Sequence, residues 1–413
     1  MRFAAREVDI TPQRPCWQGG YAQRTGHFGK VHDPITATVF VMTIGESKTV
    51  WVSMDVVGTN QAFVDALVEA AARKGLALNR RNLIVGSTHT HSGPLITGGK
   101  DGPYAERQPD PEYVELVLDK VTTAIAEAWN EDAPEVTVKY SRTLIDGLYS
   151  NRNDKNKRAD KYVHRFGFFR GEELVGMAFS MAHHCTILGP NFTECSGDLF
   201  GELRRRIQAD HPVPVLMIQG NAGDMGNKQY RKSNLFDEVE YQAKNLLDQI
   251  EKKAEPWQEL ELADCGFKEG AYKAVYDVDA TVFEQKKADF EEKLKTETDF
   301  DTVKLLVTGI RSYERKIAVG SGHVEREMPF RIYNWGDLQV VAVPGELGSI
   351  LGLRIKGASK AKVCLIYGYS DPQNLGYMVE REAYDGPFCQ EVNVTDYPAG
   401  IPDEYVQTII DAL

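Results

Sequence analysis

The sequence predicts an α/β protein with a mixed β-sheet core covered by helices and a helical excursion around residues 281–316. β-rich runs and amphipathic helices alternate along the 413 residues, which favours interleaved over segregated elements. With 42% hydrophobic and 26% charged residues, the chain has an ordinary globular composition and enough apolar material for a large core. The sequence contains no internal repeat, low-complexity segment or linker, so we predict a single domain spanning residues 1–413.

Turn and capping residues set the element boundaries in the first third of the chain. A Gly-containing turn separates two β-rich runs, Asn60 is expected to cap the helix that follows, and Gly75 is expected to end it. In chain order the predicted elements are hairpin strands at 35–44 and 49–55, a helix at 60–75, the strand that carries His89, and a helix at 111–129.

Periodicity predicts the elements of the remaining chain. The segment 281–316 is charged, helix-prone and low in Gly and Pro, so it indicates helix inserted between two β-rich regions. The other predicted elements are strands at 136–140, 165–169, 174–180 and 215–219, helices at 198–209 and 236–252, and a strand pair at 330–335 and 338–343.

Charge and cysteine content exclude several classes of protein. The formal charge of −12 makes a phosphate-backbone binder a poor interpretation, so nucleic acid is not expected as a partner. The first residues lack the pattern of a signal peptide, and no apolar run approaches the roughly 18 residues of a membrane span. We therefore expect a soluble, cytoplasmic protein without stable membrane association, and its oligomeric state is left open. The six cysteines include no CxxC motif and are expected to be free thiols.

A pair of histidines follows the apolar run at residues 83–85. The stretch GSTHTHSGP places His89 and His91 one residue apart, and alternate side chains of an extended segment share one face. The Ser-Gly-Pro that follows ends the strand and leaves both imidazoles at its carboxyl end, where ligands bind in α/β folds. Convergence on one ion or substrate is one interpretation, and hydrogen bonds to neighbouring loops are the other.

Three more polar clusters follow predicted strands. SMAHHCTILGP contains His183 and His184, MIQGNAGDMGN presents Asp224 from a Gly-rich loop, and VVAVPGELGS places Glu346 at the start of a helix. Each of these side chains has an alternative capping or turn role, which the helix dipole favours for Glu346. Two imidazoles and a carboxylate suit zinc, whereas calcium or magnesium would require mainly oxygen ligands. The sequence can therefore supply a catalytic Zn²⁺ site with one position left for water.

Ten motifs, taken in order, resemble those of a known family. They are REVDITP, GGYAQRTGHFGKVHDPITATVFVM, SMDVVG, GSTHTHSGP, YSNRND, HHCTILGP, SGDLFGE, GNAGDMGN, VPGELG and LGYMVEREAYDG. Together they resemble the N-terminal catalytic domain of the neutral/alkaline, non-lysosomal ceramidases, from about residue 6 to residue 390. The resemblance implies an α/β catalytic domain that holds a zinc ion.

The resemblance also implies the residues around that ion. Carried onto this sequence, the zinc ligands are His89, His184, Glu346 and Tyr377, with His183 as the reserve candidate for the second histidine. Residues that support the site or contact substrate are implied at His91, Arg152 and Tyr384.

Roles for these groups follow from their chemistry. We assign proton transfer to His91, because the pKa range of imidazole suits both taking and giving a proton. Arg152 or Tyr384 is expected to donate to an oxyanion or to hold a polar substrate group, and the alternative for Arg152 is a structural ion pair. Asp224 is expected to orient a ligand histidine through its ring N–H.

The sequence also departs from the family. Ceramidases have a serine shortly after the Gly-Asp of the Gly-rich loop, and this chain reads Gly223-Asp224-Met225-Gly226-Asn227. A C-terminal immunoglobulin-like domain and a secretion signal are not found in the sequence, and the segment between Tyr377 and Tyr384 is shorter.

The sequence thus predicts a zinc-dependent hydrolase in which metal-activated water attacks an amide or ester carbonyl of a soluble, polar small molecule. We do not expect long-chain ceramide to be the substrate. The alternatives are a metal-dependent enzyme acting on a small sugar or polyol, and a non-catalytic protein that binds a metal or ligand.

Overall fold

This computed structural model describes residues 1–98, 107–370, 375–385 and 389–413. In these residues, three β-sheets of four or five strands carry helices on their outer faces. The strands are β1 (Arg2–Asp9), β2 (Lys30–Val31), β3 (Thr36–Ile44), β4 (Ser47–Met54), β5 (Leu83–Ser87), β6 (Thr137–Leu144), β7 (Ser150–Asn151), β8 (Tyr162–Arg170), β9 (Glu173–Met181), β10 (Glu194–Cys195), β11 (Val215–Gln219), β12 (Met225–Gly226), β13 (Gln258–Glu259), β14 (Gly266–Val278), β15 (Gly322–Trp335), β16 (Leu338–Ala342), β17 (Glu346–Leu347), β18 (Val363–Tyr367) and β19 (Tyr377–Met378). The helices are α1 (Gln61–Arg73), α2 (Pro111–Asn130), α3 (Asp198–Asp210), α4 (Phe236–Lys253), α5 (Ala280–Leu294), α6 (Phe300–Val319), α7 (Ser349–Ala358), α8 (Gln390–Val394) and α9 (Ile401–Ala412), and Arg381–Ala383 forms a 3₁₀ turn. Besides the three larger sheets, β2 with β10, β7 with β12, and β17 with β19 form two-stranded sheets.

The three larger sheets mix antiparallel and parallel pairing. Their strand orders are β1-β3-β4-β5, β11-β9-β8-β6-β13 and β14-β15-β16-β18. Each sheet contains a parallel pair, namely β4 with β5, β9 with β11, and β16 with β18. The ends of these parallel strands meet. Gly86 near the end of β5 forms a bridge with Ser370, which follows β18, and the amide of Gly368, also after β18, donates to the carbonyl of Gln219 at the end of β11. The carboxyl ends of strands from all three sheets therefore converge on one region.

A common core lies between the sheets, and each sheet packs helices on its other face. Strand β3 shows both environments: Val39 and Val41 lie in the cluster beneath α1 and α2, whereas Phe40 packs in the central cluster with Phe168 of β8 and Trp335 of β15. The second sheet is covered by α3 and α4, and the third by α7 and α9. Because many strands are buried on both faces, they appear in the sequence as nearly continuous apolar runs. The predicted α/β core with covering helices is confirmed.

The helical excursion is confirmed as the antiparallel pair α5 and α6. It connects β14 and β15, which pair along their whole length from Gly266 opposite Asn334 to Val278 opposite Gly322. The two helices share a small apolar cluster that includes Phe290, Leu306 and Tyr313. Helix α6 also contacts α8, which lies between β19 and α9 in the chain.

Local signals placed most elements correctly. The hairpin of β3 and β4 is confirmed, and the Asn60 side chain accepts a hydrogen bond from the Phe63 amide at 2.9 Å, as a capping residue should. Strands β14 and β18 and helix α9 are not among the predicted elements, and β15 begins at Gly322, earlier than residue 330. Most side chains of β14 are exposed or half-buried, so its pairing with β15 defines it better than any apolar pattern. A single domain over 1–413 stays a prediction.

Membrane insertion through a helix has no support in the described part of the chain, because none of the helices there is both long enough and apolar enough to cross a bilayer.

Candidate metal centre

The candidate metal-binding side chains come from the segments that follow β5, β9 and β16. His89 and His91 lie two and four residues after the last residue of β5, His184 lies three residues after β9, and Glu346 lies four residues after β16. Hydrogen bonds hold the two histidine segments together: the His91 amide donates to the Cys185 carbonyl at 3.2 Å. The side chain of Gln219 also donates to the carbonyls of Thr88 and His183, at 3.3 and 2.8 Å.

The predicted extended conformation of the first histidine segment is wrong. Strand β5 ends at Ser87, and His89 adopts the left-handed conformation with φ of 60°. Strand alternation therefore does not place His89 and His91 on one face. A residue other than Gly in this region is uncommon and is held there by its surroundings. Here the Val57 carbonyl, 2.5 Å from Nδ1, fixes the His89 ring.

Three imidazoles converge. Each of His89, His91 and His184 offers a ring nitrogen such that all three atoms lie within 4.8 Å of one another. The Nε2 atoms of His89 and His91 are 3.1 Å apart. All three residues are buried, and the group is of a size that could hold one metal ion.

The Glu346 carboxylate completes this group. Its Oε2 lies 3.5 Å from Nε2 of His89 and 3.8 Å from Nε2 of His184. Residue 346 lies in β17, which pairs in parallel with β19 and places Tyr377 directly opposite Glu346. The rings of Tyr377 and His184 are stacked with centroids 6.2 Å apart. The structure therefore brings the four residues His89, His184, Glu346 and Tyr377 together. Glu346 begins this short strand, whereas the sequence indicated the start of a helix; α7 begins at Ser349.

The donor atoms fit a metal ion. Nε2 of His184 and Oε2 of Glu346 are buried and have no hydrogen-bond partner within the described ranges. Buried polar atoms without a partner are costly, and a cation between them would satisfy both. Burial lowers the pKa of His89 to about 3 and holds the pKa values of His91 and His184 well below 6.5. The three rings are thus neutral at pH 7, as metal ligation requires.

Backbone carbonyls of Val57 and Ala222, and not Asp224, orient the candidate ligand histidines His89 and His184. Nδ1 of His184 lies 3.2 Å from the Ala222 carbonyl and 3.3 Å from the Tyr369 hydroxyl. Asp224 accepts instead from the Asn151 side chain and from the Ser349 amide, both at 2.6 Å. The expectation that Asp224 holds a ligand histidine is therefore wrong. The physical reason is that its loop turns the carboxylate toward β7 and α7, where it satisfies buried donors.

Arg152 lines the cavity beside the candidate ligands and is held by a buried acid. Its Nε donates to Glu391 at 2.5 Å, and its guanidinium carbon lies 5.5 Å from the ring centroid of Tyr377. The Nη2 atom is buried and has no hydrogen-bond partner among the residues that the structure describes. The structure thus combines both interpretations of Arg152, since the residue forms an ion pair and still presents an N–H group at the site.

Two candidates lie away from the cavity. The His183 ring packs edge-on against Tyr149, with centroids 5.0 Å apart, and it is not part of the imidazole group. Tyr384 does not line the cavity in the described part of the chain, and its hydroxyl donates to the Tyr397 carbonyl at 2.7 Å. The structure therefore favours His184 over His183 and gives Tyr384 no contact with the metal-binding group.

The imidazole group and Glu346 open into a cavity of about 390 Å³. Several of its wall residues were not predicted from the sequence, among them Tyr21 after the first strand, Arg107, and Lys304 on α6. Tyr369, a buried residue in the left-handed conformation with φ of 51°, contacts the His89 ring and was also missed. Tyr369 could have been found as a polar residue that follows an apolar strand, whereas Lys304 lies in a charged helix that offers no such signal.

Solved structures that match this one include two ceramidase structures. The structure matches the crystal structure of neutral ceramidase from Pseudomonas aeruginosa with a TM-score of 0.71 and 16% sequence identity, over 99% of this chain and 73% of that chain. A second structure, a ceramidase complexed with C2, matches with a TM-score of 0.71 and 16% identity, over 99% of this chain and 74% of that chain. No family model matches the sequence, and no curated protein does. The chain therefore has the ceramidase fold, as the ten motifs implied.

Proposed function

We propose that this protein is a metal-dependent hydrolase that cleaves an amide or ester bond of a small, polar substrate. The observation that carries the proposal is the group formed by His89, His91, His184 and Glu346, which opens into a cavity. The fold supports hydrolysis as the reaction class, because both matched structures are ceramidases.

Zinc suits a group of imidazoles and one carboxylate. His89, His184, Glu346 and Tyr377 would hold the ion, with Tyr377 supported by its position opposite Glu346 in the β17–β19 pair. When bound, zinc would polarise a carbonyl and lower the pKa of water toward about 7.

The protein's own groups would then move a proton and stabilise charge. Nδ1 of His91 is buried without a partner in the described residues, so this nitrogen would take up and return the proton during the reaction, although burial holds the pKa of the ring well below 6.5 in the resting protein. Arg152 would direct its unpaired Nη2 toward the oxyanion that forms at the attacked carbonyl. Glu391 would keep the guanidinium in place through its 2.5 Å hydrogen bond with Nε.

Turnover with and without metal tests the proposal. Protein stripped with a chelator and reloaded with Zn²⁺ should hydrolyse at least one member of a panel of short acyl-amides and esters, and the stripped protein should not. Turnover that does not depend on metal would contradict the proposal. Turnover restricted to a carbohydrate panel would favour the sugar or polyol enzyme, and tight ligand binding without turnover would favour the non-catalytic protein.

A further inference from the structure

The charged side chains that line the described part of the cavity are mostly positive, whereas the net charge of the whole chain is negative. The chain has a formal charge of −12, yet the described residues that line the cavity include Arg107, Arg152 and Lys304 against the single carboxylate of Glu346. Low-dielectric walls focus the field of such charges and raise the local concentration of anions. A metal ion at the imidazole group would add further positive charge.

Two of these cations are already engaged by the protein. Arg107 donates to the backbone carbonyls of Tyr21 and Ala22, at 2.8 and 3.0 Å, and so fastens the cavity wall. Arg152 is paired with Glu391. The charge of Arg107 contributes to the field of the cavity, whereas the Glu391 carboxylate offsets much of the charge of Arg152.

Lys304 differs from both arginines. Its ammonium lies 4.5 Å from the ring centroid of Tyr21 and, within residues 1–98, 107–370, 375–385 and 389–413, it has neither a hydrogen bond nor an ion pair. The nearest acid in sequence, Asp301, pairs with Arg231 instead. Burial, together with Arg231 and Arg152, lowers the pKa of Lys304 to about 7, although Asp301 acts in the opposite direction. An anion bound at this amine would raise the pKa again and restore the charged form.

The position of Lys304 relates it to the candidate centre. The Tyr21 ring beneath the ammonium also packs edge-on against His91, with centroids 4.8 Å apart. One aromatic ring therefore separates Lys304 from the metal-binding group. The aliphatic side chains on the described part of the wall are those of Val57, Leu95 and Val394, so the cavity suits a short acyl or alkyl segment better than a long chain.

We propose that Lys304 binds an anionic group of the substrate, so that the substrate is an amide or ester that carries a carboxylate or a similar oxyanion near the scissile carbonyl. This inference rests on the proposed hydrolase function, because it assumes that the substrate carbonyl lies at the imidazole group. The ammonium of Lys304 would supply the charge-assisted hydrogen bond, and the Tyr21 ring would keep it pointed into the cavity.

Three probes of similar size test the inference: N-hexanoylglycine, its uncharged carboxamide, and N-hexanoyltaurine, in which a sulfonate replaces the carboxylate. Binding of each to the zinc-loaded protein is measured by calorimetry, and kcat/KM replaces Kd for a probe that is hydrolysed. We expect both anions to bind more tightly than the carboxamide, by about 10-fold to 100-fold, as a hydrogen bond to a charged group would give.

Variants then test whether Lys304 causes the preference for the anionic probes over the carboxamide. Lys304→Met should reduce the preference for the anionic probes by about 10-fold, and Lys304→Arg should retain most of it. Lys287→Met is the matched control, because Lys287 pairs with Glu291 on α5 and is not among the described residues that line the cavity, and it should leave the preference unchanged. A preference that survives in Lys304→Met would make the metal the anion receptor and overturn the inference. Equal binding of all three probes, or binding of none, would also overturn it. If the protein prefers the anionic probes but hydrolyses none of them, the proposed hydrolase function is wrong, whereas the anion site is still supported.

Discussion

At the scale of single residues, two adjacent histidines have different environments. His184 lies in the imidazole group, with its Nε2 3.8 Å from the Glu346 carboxylate, whereas His183 packs on Tyr149. Both are fully buried, so burial does not distinguish them. Their contacts do, and they make the pair a matched test of metal ligation.

We expect His184→Ala to lose most of its bound metal and His183→Ala to keep it. The alanine at 184 removes a ligand, whereas the alanine at 183 removes a ring that faces away from the group. Elemental analysis of protein purified without chelators measures this directly. Equal metal content in the two variants would show that the ligand assignment is wrong.

The second prediction concerns His91, whose Nε2 lies 3.1 Å from that of His89. We expect His91→Ala to retain metal and to lose activity by about 10²- to 10⁴-fold, because a proton-transferring group typically contributes that much. Metal content and kcat are measured on the same preparation. If metal is lost together with activity, His91 is a ligand and the proton must be moved by another group.

At the scale of elements, the Gly-rich loop after β11 supports the strand that carries Glu346. The Gly223 amide donates to the Leu347 carbonyl at 2.9 Å, and a Cβ at Gly223 would lie 2.3 Å from the Glu346 carbonyl oxygen. Only a residue without a side chain allows this approach of two backbones. Three residues later, a Cβ at Gly226 would meet Arg152 at an ordinary 3.6 Å.

These two glycines give the third prediction. Gly223→Ala must displace β17 and should weaken metal binding by about 10- to 100-fold, as loss of support around a metal ligand usually does. Gly226→Ala is the control and should bind metal like the unmodified protein. Competition with a chromogenic chelator measures both affinities. Unchanged affinity in Gly223→Ala would mean that the position of β17 does not govern the Glu346 carboxylate.

At the scale of the whole molecule, burial keeps several titratable groups neutral. It lowers the pKa of five histidines: His89, His91, His164, His183 and His184. It raises the pKa of three acids to about 7: Asp198, Asp224 and Glu346. As pH falls below about 6.5, the unfolded chain protonates its histidines while the folded chain does not, which destabilises the fold. The buried acids act in the opposite direction, because the folded chain protonates them first.

The fourth prediction concerns the contribution of one histidine, His183, to the pH dependence of stability. Burial lowers the pKa of His183 to about 4, so this residue contributes stability above about pH 6.5 that is lost as pH falls toward 4. In His183→Asn, the slope of the unfolding free energy against pH should be smaller by about 1.4 kcal/mol per pH unit between these limits. Urea unfolding of metal-free protein at several pH values measures the slope. An unchanged slope would mean that the His183 ring becomes protonated within the folded protein.

The fifth prediction concerns long-chain ceramide as a substrate. The motif resemblance implies a serine shortly after the Gly-Asp of the Gly-rich loop, and the Met225–Gly226 strand that follows Asp224 in this chain has no hydroxyl. Loss of one such donor typically costs about 10²- to 10³-fold in rate. The cavity wall also presents three cations. We expect negligible release of fatty acid from long-chain ceramide in detergent, and some recovery in Gly226→Ser. Ceramide turnover near the typical enzyme kcat of about 10 s⁻¹ would contradict this prediction.

The sequence by itself determined the elements and the order of the polar segments. Asn60 as a cap, the apolar runs of β3, β4 and β11, and the helical character of 281–316 are set by neighbouring residues, whose backbone preferences act over short range. The ten motifs also indicated the fold, because their order along the chain is a property of the sequence alone. His89, His184, Glu346 and Tyr377 could therefore be proposed as a set before their distances were known.

Only the tertiary structure decided how those segments meet. The left-handed conformation of His89, the turn of Asp224 toward Ser349 and the arrival of Lys304 at the cavity depend on three sheets packing around one core. Residues 89 and 304 are far apart in sequence, and no local preference relates them. Burial then fixes the protonation states that metal binding needs, because the cost of charging an imidazole depends on how fully the surrounding chain excludes water.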